Sequence, residues 1–334
     1  MNFDDTPQEA AFRAEAKAWI AANAPKQYEE ELRKILARPH RLKGANVLEV
    51  AKAWQKKKAD AGWACLHWPK EYGGRGSSPI ERVIWQQEEG RFGKLSSMFI
   101  IGHGMCGPTM MAFAGEEQKR KYLPPLASGE KIWCQLFSEP AGGSDVAGLR
   151  TRAENKGDDW IINGQKIWTS GAHYSDYGIL LDPHRSELCR STRDSTMFFL
   201  DMKSPGVEVR PIKQASGQSD FNEVYFTDVR IPDPQRLGAV GDGWNVSLTT
   251  LMNERMSIGA GVPTGFPELF EFCNSLMLGR RPRDREPQRS LKAGELGGEG
   301  ERAANTPACA RSRRCRGASV RVRKTRSASW SPDR

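Results

Sequence analysis

Long apolar runs are missing from this 334-residue chain: it contains no stretch of 18 consecutive apolar residues, so no membrane span is expected. Cysteine is sparse and unpatterned. Cys65, Cys106, Cys134, Cys189, Cys273, Cys309 and Cys315 make seven, an odd number with no CxxC pair, which argues against a disulfide framework and a zinc ribbon. The five histidines are scattered without an HxxxH pair, so no metal site is expected. Positive charge is lacking at the start, Met1-Asn2-Phe3-Asp4-Asp5. A secretory or mitochondrial leader needs it, so the expected location is cytoplasmic.

What the chain has in excess is positive charge, a net +9, but in one place only. Residues 279–334 hold 16 of the 50 Lys+Arg and 6 of the 41 Asp+Glu, which leaves residues 1–278 nearly neutral. A nucleic-acid footprint belongs on a folded face, so no specific nucleic-acid partner is expected. The length suits two or three domains with a sizeable core.

The first third reads as helical. Thr6-Pro7-Gln8-Glu9 is a capping box with proline at the first helical position. Phe12, Ala16, Trp19 and Ile20 follow as one apolar stripe, and Val47, Val50, Ala51 and Trp54 form another. Further helices are expected over about 79–92 and 115–123, the latter stopped by Pro124-Pro125. From Lys131 the character turns to strands. Asn163-Gly164 between apolar runs predicts a hairpin turn, and 197–202 and 223–231 also read as strands. Helices are expected again from Trp244 to Ile258 and from Phe266. Beyond 278 the chain is rich in Arg, Ala, Gly, Ser and Pro, with few large apolar residues and no period, the composition of a disordered segment.

Several motifs bear on chemistry. Gly102-His103-Gly104-Met105-Cys106-Gly107 fits a dinucleotide fingerprint only by spacing; with helices before it and Pro108 after it, a helix-rich turn is the expectation. Phe137-Ser138-Glu139-Pro140-Ala141-Gly142-Gly143-Ser144-Asp145 can bring backbone amides close to an anionic or heteroaromatic ligand, although taken alone it reads as a surface turn. Trp168-Thr169-Ser170 sets an indole beside hydroxyls, which suits a planar cofactor and equally a half-buried strand. In Asn253-Glu254-Arg255, a glutamate next to an arginine is either a solvated pair or a desolvated general base.

Together these segments resemble the acyl-CoA dehydrogenase family. The residues that carry the resemblance run in order over roughly 1–278: Gly62-Trp63, Trp68-Pro69-Lys70-Glu71-Tyr72-Gly73-Gly74, Tyr122-Leu123-Pro124, Ser128-Gly129-Glu130, the 137–145 loop, Asn163 to Ser170, Gly241-Asp242-Gly243-Trp244 and Leu251-Met252-Asn253-Glu254-Arg255. The resemblance implies an α+β multidomain fold. An N-terminal all-α domain (1–130) is followed by a middle β-barrel or sandwich domain that binds flavin (131–238), the start of an incomplete C-terminal helical bundle (239–278) and a disordered basic tail (279–334).

It also implies FAD as cofactor, α,β-dehydrogenation of an acyl-CoA thioester, an electron-transferring flavoprotein as acceptor, a role in fatty-acid β-oxidation and a homo-oligomer. Carried over by position, Gln135, Leu136, Phe137, Ser138, Gly143, Ser144, Trp168, Thr169 and Ser170 would hold the cofactor. Ser144 and Arg255 would contact the substrate. Glu254 is the expected catalytic base, because in most of the family that glutamate comes from a late bundle helix with no match here, whereas one branch places it immediately before the arginine of this earlier helix. The composition break near Leu278 leads us to expect a truncated or frameshifted carboxyl end and an impaired enzyme. The alternatives are a non-catalytic remnant that at most binds FAD or CoA weakly, and an acyl-CoA oxidase.

Overall fold

A computed structural model describes residues 4–33, 42, 44–145, 148–183, 195–258, 266–275, 277–278 and 281–282. The chain divides into two units, Met1–Ala260 and Gly261–Arg334. In the second, the described residues form α9 (Phe266–Ser275) and a short antiparallel pair, Met277–Leu278 with Arg281–Pro282. Apart from that pair, the expected disordered tail lies outside the described residues.

The first unit begins with helices α1 (Pro7–Asn23), α2 (Glu29–Arg33), α3 (Val47–Asp60), α4 (Pro79–Glu89), α5 (Gly93–Ser96), α6 (Gly107–Phe113) and α7 (Glu116–Ala127). The expected capping box starts α1: Thr6 Oγ1 accepts from the Glu9 amide at 3.3 Å and Glu9 Oε2 accepts from the Thr6 amide at 2.7 Å. Ser78 and Glu81 start α4 in the same way. Phe12, Ala16 and Ile20 of α1 are buried in one core with Trp54, Trp63 and Trp85, and the last two indoles stack at 4.6 Å.

One expectation needs correcting here. The prolines do not stop α7, which runs through Pro124 and Pro125 to Ala127. Proline removes a donor but keeps its carbonyl, and those of Pro124 and Pro125 accept from Ser128 and Lys131. Burial of Leu123, Leu126 and Ala127 holds that last turn in place. Gly102–Cys106 is a π-helical turn between helices, and its glycines serve close packing. A Cβ on Gly107 would sit 2.0 Å from the Trp68 ring, and one on Gly104 would sit 2.3 Å from Ser257 Oγ.

The middle of the chain forms two four-stranded sheets. The first has the order β1 (Trp133–Leu136), β4 (Tyr177–Pro183), β5 (Ser195–Asp201), β8 (Arg236–Leu237), with β1 and β4 parallel. The second has the order β2 (Arg152–Lys156), β3 (Asp159–Ser170), β7 (Phe221–Pro232), β6 (Val207–Pro211), all antiparallel. Leu136, Leu180, Phe198 and Leu200 of the first pack against Trp160, Ile162, Val224 and Val229 of the second, so the module is a sandwich. The alternate residues Trp133, Ile179, Met197 and Phe199 pack on the opposite side with Met110, Leu123 and Val246. Both faces of the first sheet are therefore buried, which is why β5 reads as an unbroken apolar run.

Asn163-Gly164 is not a hairpin turn. β3 runs straight through it with a register shift, and the turn lies at Gly157, where φ is 78°. Asn163 exchanges two 2.9 Å hydrogen bonds with Asp228 across the sheet, and a Cβ on Gly164 would meet the Thr151 backbone at 2.7 Å. The dipeptide makes a bulge, because the Thr151 backbone just before β2 passes too close for any side chain. Asp182, Pro183 and Ser195 are strand residues, and residues 184–194 between them lie outside the described residues.

Helix α8 (Gly243–Ile258) closes the first unit. Its start passes over β5, where a Cβ on Gly243 would meet the Ser195–Thr196 backbone at 2.7 Å. Thr250 Oγ1 meets Thr109 Oγ1 of α6 at 2.8 Å in the interior, which fixes the rotation of α8.

Candidate functional site

Strand alternation puts Gln135 on the same side of β1 as Trp133, the side that faces the helices. There its Nε2 donates to Glu254 Oε2 of α8 at 3.4 Å, in a half-buried setting. Two residues singled out for separate reasons in the sequence, 119 positions apart, are thus brought together. Arg255, the next residue, projects elsewhere: it is exposed and lies against Met252 Sδ at 3.9 Å.

The chain leaving β1 is bound to the end of β3. The Ile167 amide donates to the Ser138 carbonyl at 2.9 Å, and the Glu139 and Gly142 backbones exchange hydrogen bonds at 2.7 and 3.0 Å. Beneath this edge lies an ionic cluster. Lys166 Nζ, fully buried, donates to Glu139 Oε1 at 2.8 Å and to the carbonyls of Phe137 and Leu181 at 3.1 and 2.8 Å. Glu139 also accepts from the amides of Arg150 and Thr151 and from Thr151 Oγ1. Burial works to raise the Glu139 carboxyl, but the Lys166 charge and these donors hold it below the usual carboxylate range. Burial also lowers the Lys166 ammonium against the pull of Glu139. Asp182, beside them on β4, is pushed up to about 8 by burial, although the Lys166 charge opposes this.

Trp168 is the one non-glycine residue on this edge in the left-handed region, with φ 61° at a register shift between Lys166 and Thr169. Its indole is 57% exposed and meets Phe221 edge-on at 6.2 Å. A backbone of this kind costs on the order of 1–3 kcal/mol, which the surrounding structure must offset. Thr169 is buried, and its hydroxyl has no hydrogen-bond partner among the described residues.

The other expected residues divide by burial. Leu136 and Phe137 commit their side chains to the two cores. Ser138 and Ser170 are partly exposed, and Gly143 and Ser144 are exposed on the loop. The reading of the sequence missed Lys166 and Asp182, although Lys166 stands inside a motif it used. Among the described residues no group of His, Cys, Asp and Glu is arranged to hold a metal ion, and no helix is long and apolar enough to cross a membrane.

Comparison with known proteins places this geometry in context. The profile of the acyl-CoA dehydrogenase N-terminal domain matches residues 6–130, and that of the acyl-CoA dehydrogenase middle domain matches residues 134–229. The chain is 40% identical over 274 residues to the acyl-CoA dehydrogenase IpdE1 of Mycobacterium tuberculosis, covering 81% of this chain and 68% of that one. The first three curated relatives are covered over 34% to 68% of their length. Among solved structures, the ChsE4–ChsE5 complex of M. tuberculosis superposes with a TM-score of 0.72 at 28% identity, covering 90% of this chain and 75% of that one. A glutaryl-CoA dehydrogenase of Mycobacterium smegmatis, solved in complex with FADH2, shares the fold with a TM-score of 0.68 at 20% identity, covering 90% of this chain and 74% of that one. The fold and its matches define a flavin-dependent class of oxidoreductase. The chain belongs to the acyl-CoA dehydrogenase family.

Proposed function

We propose that the chain is an FAD-dependent acyl-CoA dehydrogenase that removes hydrogens from the α and β carbons of an acyl-CoA thioester. The observation that carries the reading is the meeting of Gln135 with Glu254 beside the edge built by 137–138 and 168–170. Bound FAD supplies the acceptor for the β-hydrogen and its electron pair.

The Thr169 hydroxyl, buried without a partner among the described residues, and the Trp168 indole, held exposed at a strained position, fit a planar heterocycle with hydrogen-bonding edges. Ser138 and Ser170 add hydroxyls on the same edge, and Leu136 and Phe137 add backbone. Gly143, with open space where a Cβ would be, lets a bulky ligand approach the loop. The Glu254 carboxylate takes the α-proton, and the Gln135 amide holds Glu254 Oε2 in place for that step. Ser144 and Arg255, both exposed, are assigned to the CoA portion and the substrate.

The same reading assigns an electron-transferring flavoprotein as acceptor, fatty-acid β-oxidation as the setting, the cytoplasm as the location and a homo-oligomer as the working form. The functional divisions are 1–130, 131–238 and 239–278. Exposed Leu248 and Met252 on α8, with Val240 before it, supply an apolar surface for association.

The test is spectral. Purified protein should be yellow with FAD, and its flavin absorbance should bleach under an acyl-CoA without oxygen. Colourless protein that neither takes up FAD nor binds CoA overturns the proposal in favour of a non-catalytic remnant. Turnover with oxygen alone reassigns the chain as an oxidase.

A further inference from the structure

A cavity of about 280 Å³ opens among α3, α4 and the π-helical turn. Its wall carries Trp63, Trp85 and Ile100, and also Lys58, Glu89, Arg82 and His67. The charges are not balanced. Glu89 is satisfied: its Oε1 accepts from Lys58 Nζ at 2.7 Å, Ser96 Oγ at 2.6 Å and Trp54 Nε1 at 2.9 Å, and its Oε2 accepts from Trp85 Nε1 at 2.9 Å. This ion pair cancels itself. Arg82 has no carboxylate within reach among the described residues. Among the described residues the one side-chain hydrogen bond of its guanidinium goes to Ser257 Oγ at 3.2 Å, which leaves most of its five N–H donors without an acceptor among them. His67, half-buried beside it, has no side-chain hydrogen bond among the described residues, and burial next to Arg82 keeps its ring neutral down to about pH 4. The cavity therefore presents one uncompensated positive charge and a neutral imidazole within a largely apolar wall.

The position of that charge relative to Glu254 gives it meaning. Ser257 stands three residues after Glu254 on α8, so the two share a face about one helical turn, roughly 5 Å, apart. Ser257 Oγ donates to the Gly104 carbonyl at 3.3 Å, and Gly104 itself lines the cavity. Only glycine at 104 allows α8 to come this close. The Arg82 head thus lies beside α8, one turn beyond the residue assigned to the α-carbon.

We propose that this cavity receives the distal end of the substrate's acyl chain, and that Arg82 selects acyl groups ending in a carboxylate. The inference rests on the acyl-CoA reading of the site and adds the class of acyl group. A carboxylate on the chain supplies the missing countercharge and can be bound bidentately by guanidinium, while the methylenes before it lie against Trp85 and Ile100. A plain alkyl end leaves Arg82 desolvated and unpaired, so the arginine works against it as well as for the charged end.

The test uses the full chain and matched pairs of ligands: adipoyl-CoA against hexanoyl-CoA, and suberoyl-CoA against octanoyl-CoA. Dissociation constants are read from quenching of the cavity tryptophans. The carboxylated member of at least one pair should bind about tenfold or more tightly than its partner, equivalent to about 1.4 kcal/mol. Arg82→Gln should abolish that preference, and Arg82→Lys should keep part of it. Free adipate, a probe without CoA, should quench the wild type and not Arg82→Gln. Equal binding of both members of each pair, or a preference that survives Arg82→Gln, overturns the assignment while leaving the dehydrogenase reading intact. If neither the esters nor CoA binds, the dehydrogenase reading fails. Free adipate then decides for the cavity alone, and the absence of saturable, Arg82-dependent quenching overturns it.

Discussion

Gln135 Nε2 lies 3.4 Å from Glu254 Oε2, and this one contact joins the first strand of the sandwich to the last helix of the first unit. Gln135 reaches it because β1 alternates, with Cys134 and Leu136 between the sheets and Trp133 and Gln135 toward the helices. Glu254 reaches it because Thr250, one turn earlier, is locked to Thr109. If Glu254 is the base, Glu254→Gln should lower turnover by on the order of 10²–10⁴-fold. Flavin content and acyl-CoA affinity should stay near wild type. Gln135→Ala should lower turnover less and leave the reaction itself in place. Rapid-mixing flavin reduction measures both, and wild-type rates in Glu254→Gln would remove Glu254 from the mechanism.

The unpartnered hydroxyl of Thr169 separates a ligand role from a structural one. A buried hydroxyl without a partner does not contribute to folding, so Thr169→Val should leave the melting temperature of the flavin-free protein unchanged or slightly raised. The same change should weaken FAD binding by about tenfold, the equivalent of one hydrogen bond to a ligand. Titration of the flavin-free protein followed by absorbance gives the second value, and calorimetry gives the first. A loss of stability with unaltered FAD affinity would show that Thr169 serves the fold alone.

Lys166 and Glu139 act as one unit beneath that edge, since the lysine ties the Phe137 carbonyl and the Glu139 carboxylate to β3 and β4. Lys166→Met strands a buried carboxylate and should cost about 3–5 kcal/mol in urea unfolding. Removing the charge from its partner too, in Lys166→Met with Glu139→Gln, should recover part of that loss, because no unpaired charge is left. Costs that simply add would mean that the two side chains are not coupled.

How far the sequence discloses this molecule depends on the range of each signal. The capping box at Thr6 and the apolar stripe of α1 are local, and both stand in the structure as read. The Asn163-Gly164 dipeptide misleads because its glycine answers to a different segment of the chain: Thr151 passes 2.7 Å from where a Cβ would be, and no local rule contains that distance. The prolines of α7 mislead for a similar reason, since burial of Leu123 and Leu126 outweighs two lost donors. The candidate site residues were legible where they stand in contiguous motifs. Arg82 and His67 were not, because an arginine becomes conspicuous only when its surroundings lack a carboxylate, and surroundings are a product of the fold.

Asp182 gives the protein a pH dependence whose sign follows from burial. Its carboxyl is raised from an ordinary 3.8 to about 8, so between those values the folded chain holds a proton that the unfolded chain releases. The resulting stability is fully present below about pH 3.8 and is lost as pH rises through 8. Asp182→Asn keeps the shape and cannot ionise, so this loss should vanish. The comparison must be made as variant minus wild type at each pH. His103 and His67, lowered by burial to about 3 and about 4, impose the opposite slope below pH 6.5 on both proteins. Relative to wild type, the variant's melting point should rise steadily from pH 5 to pH 8.5, by ~2–4 °C for each kcal/mol recovered at this size. A constant difference across that range would mean that Asp182 is already ionised in the folded protein, held charged by Lys166 in spite of its burial.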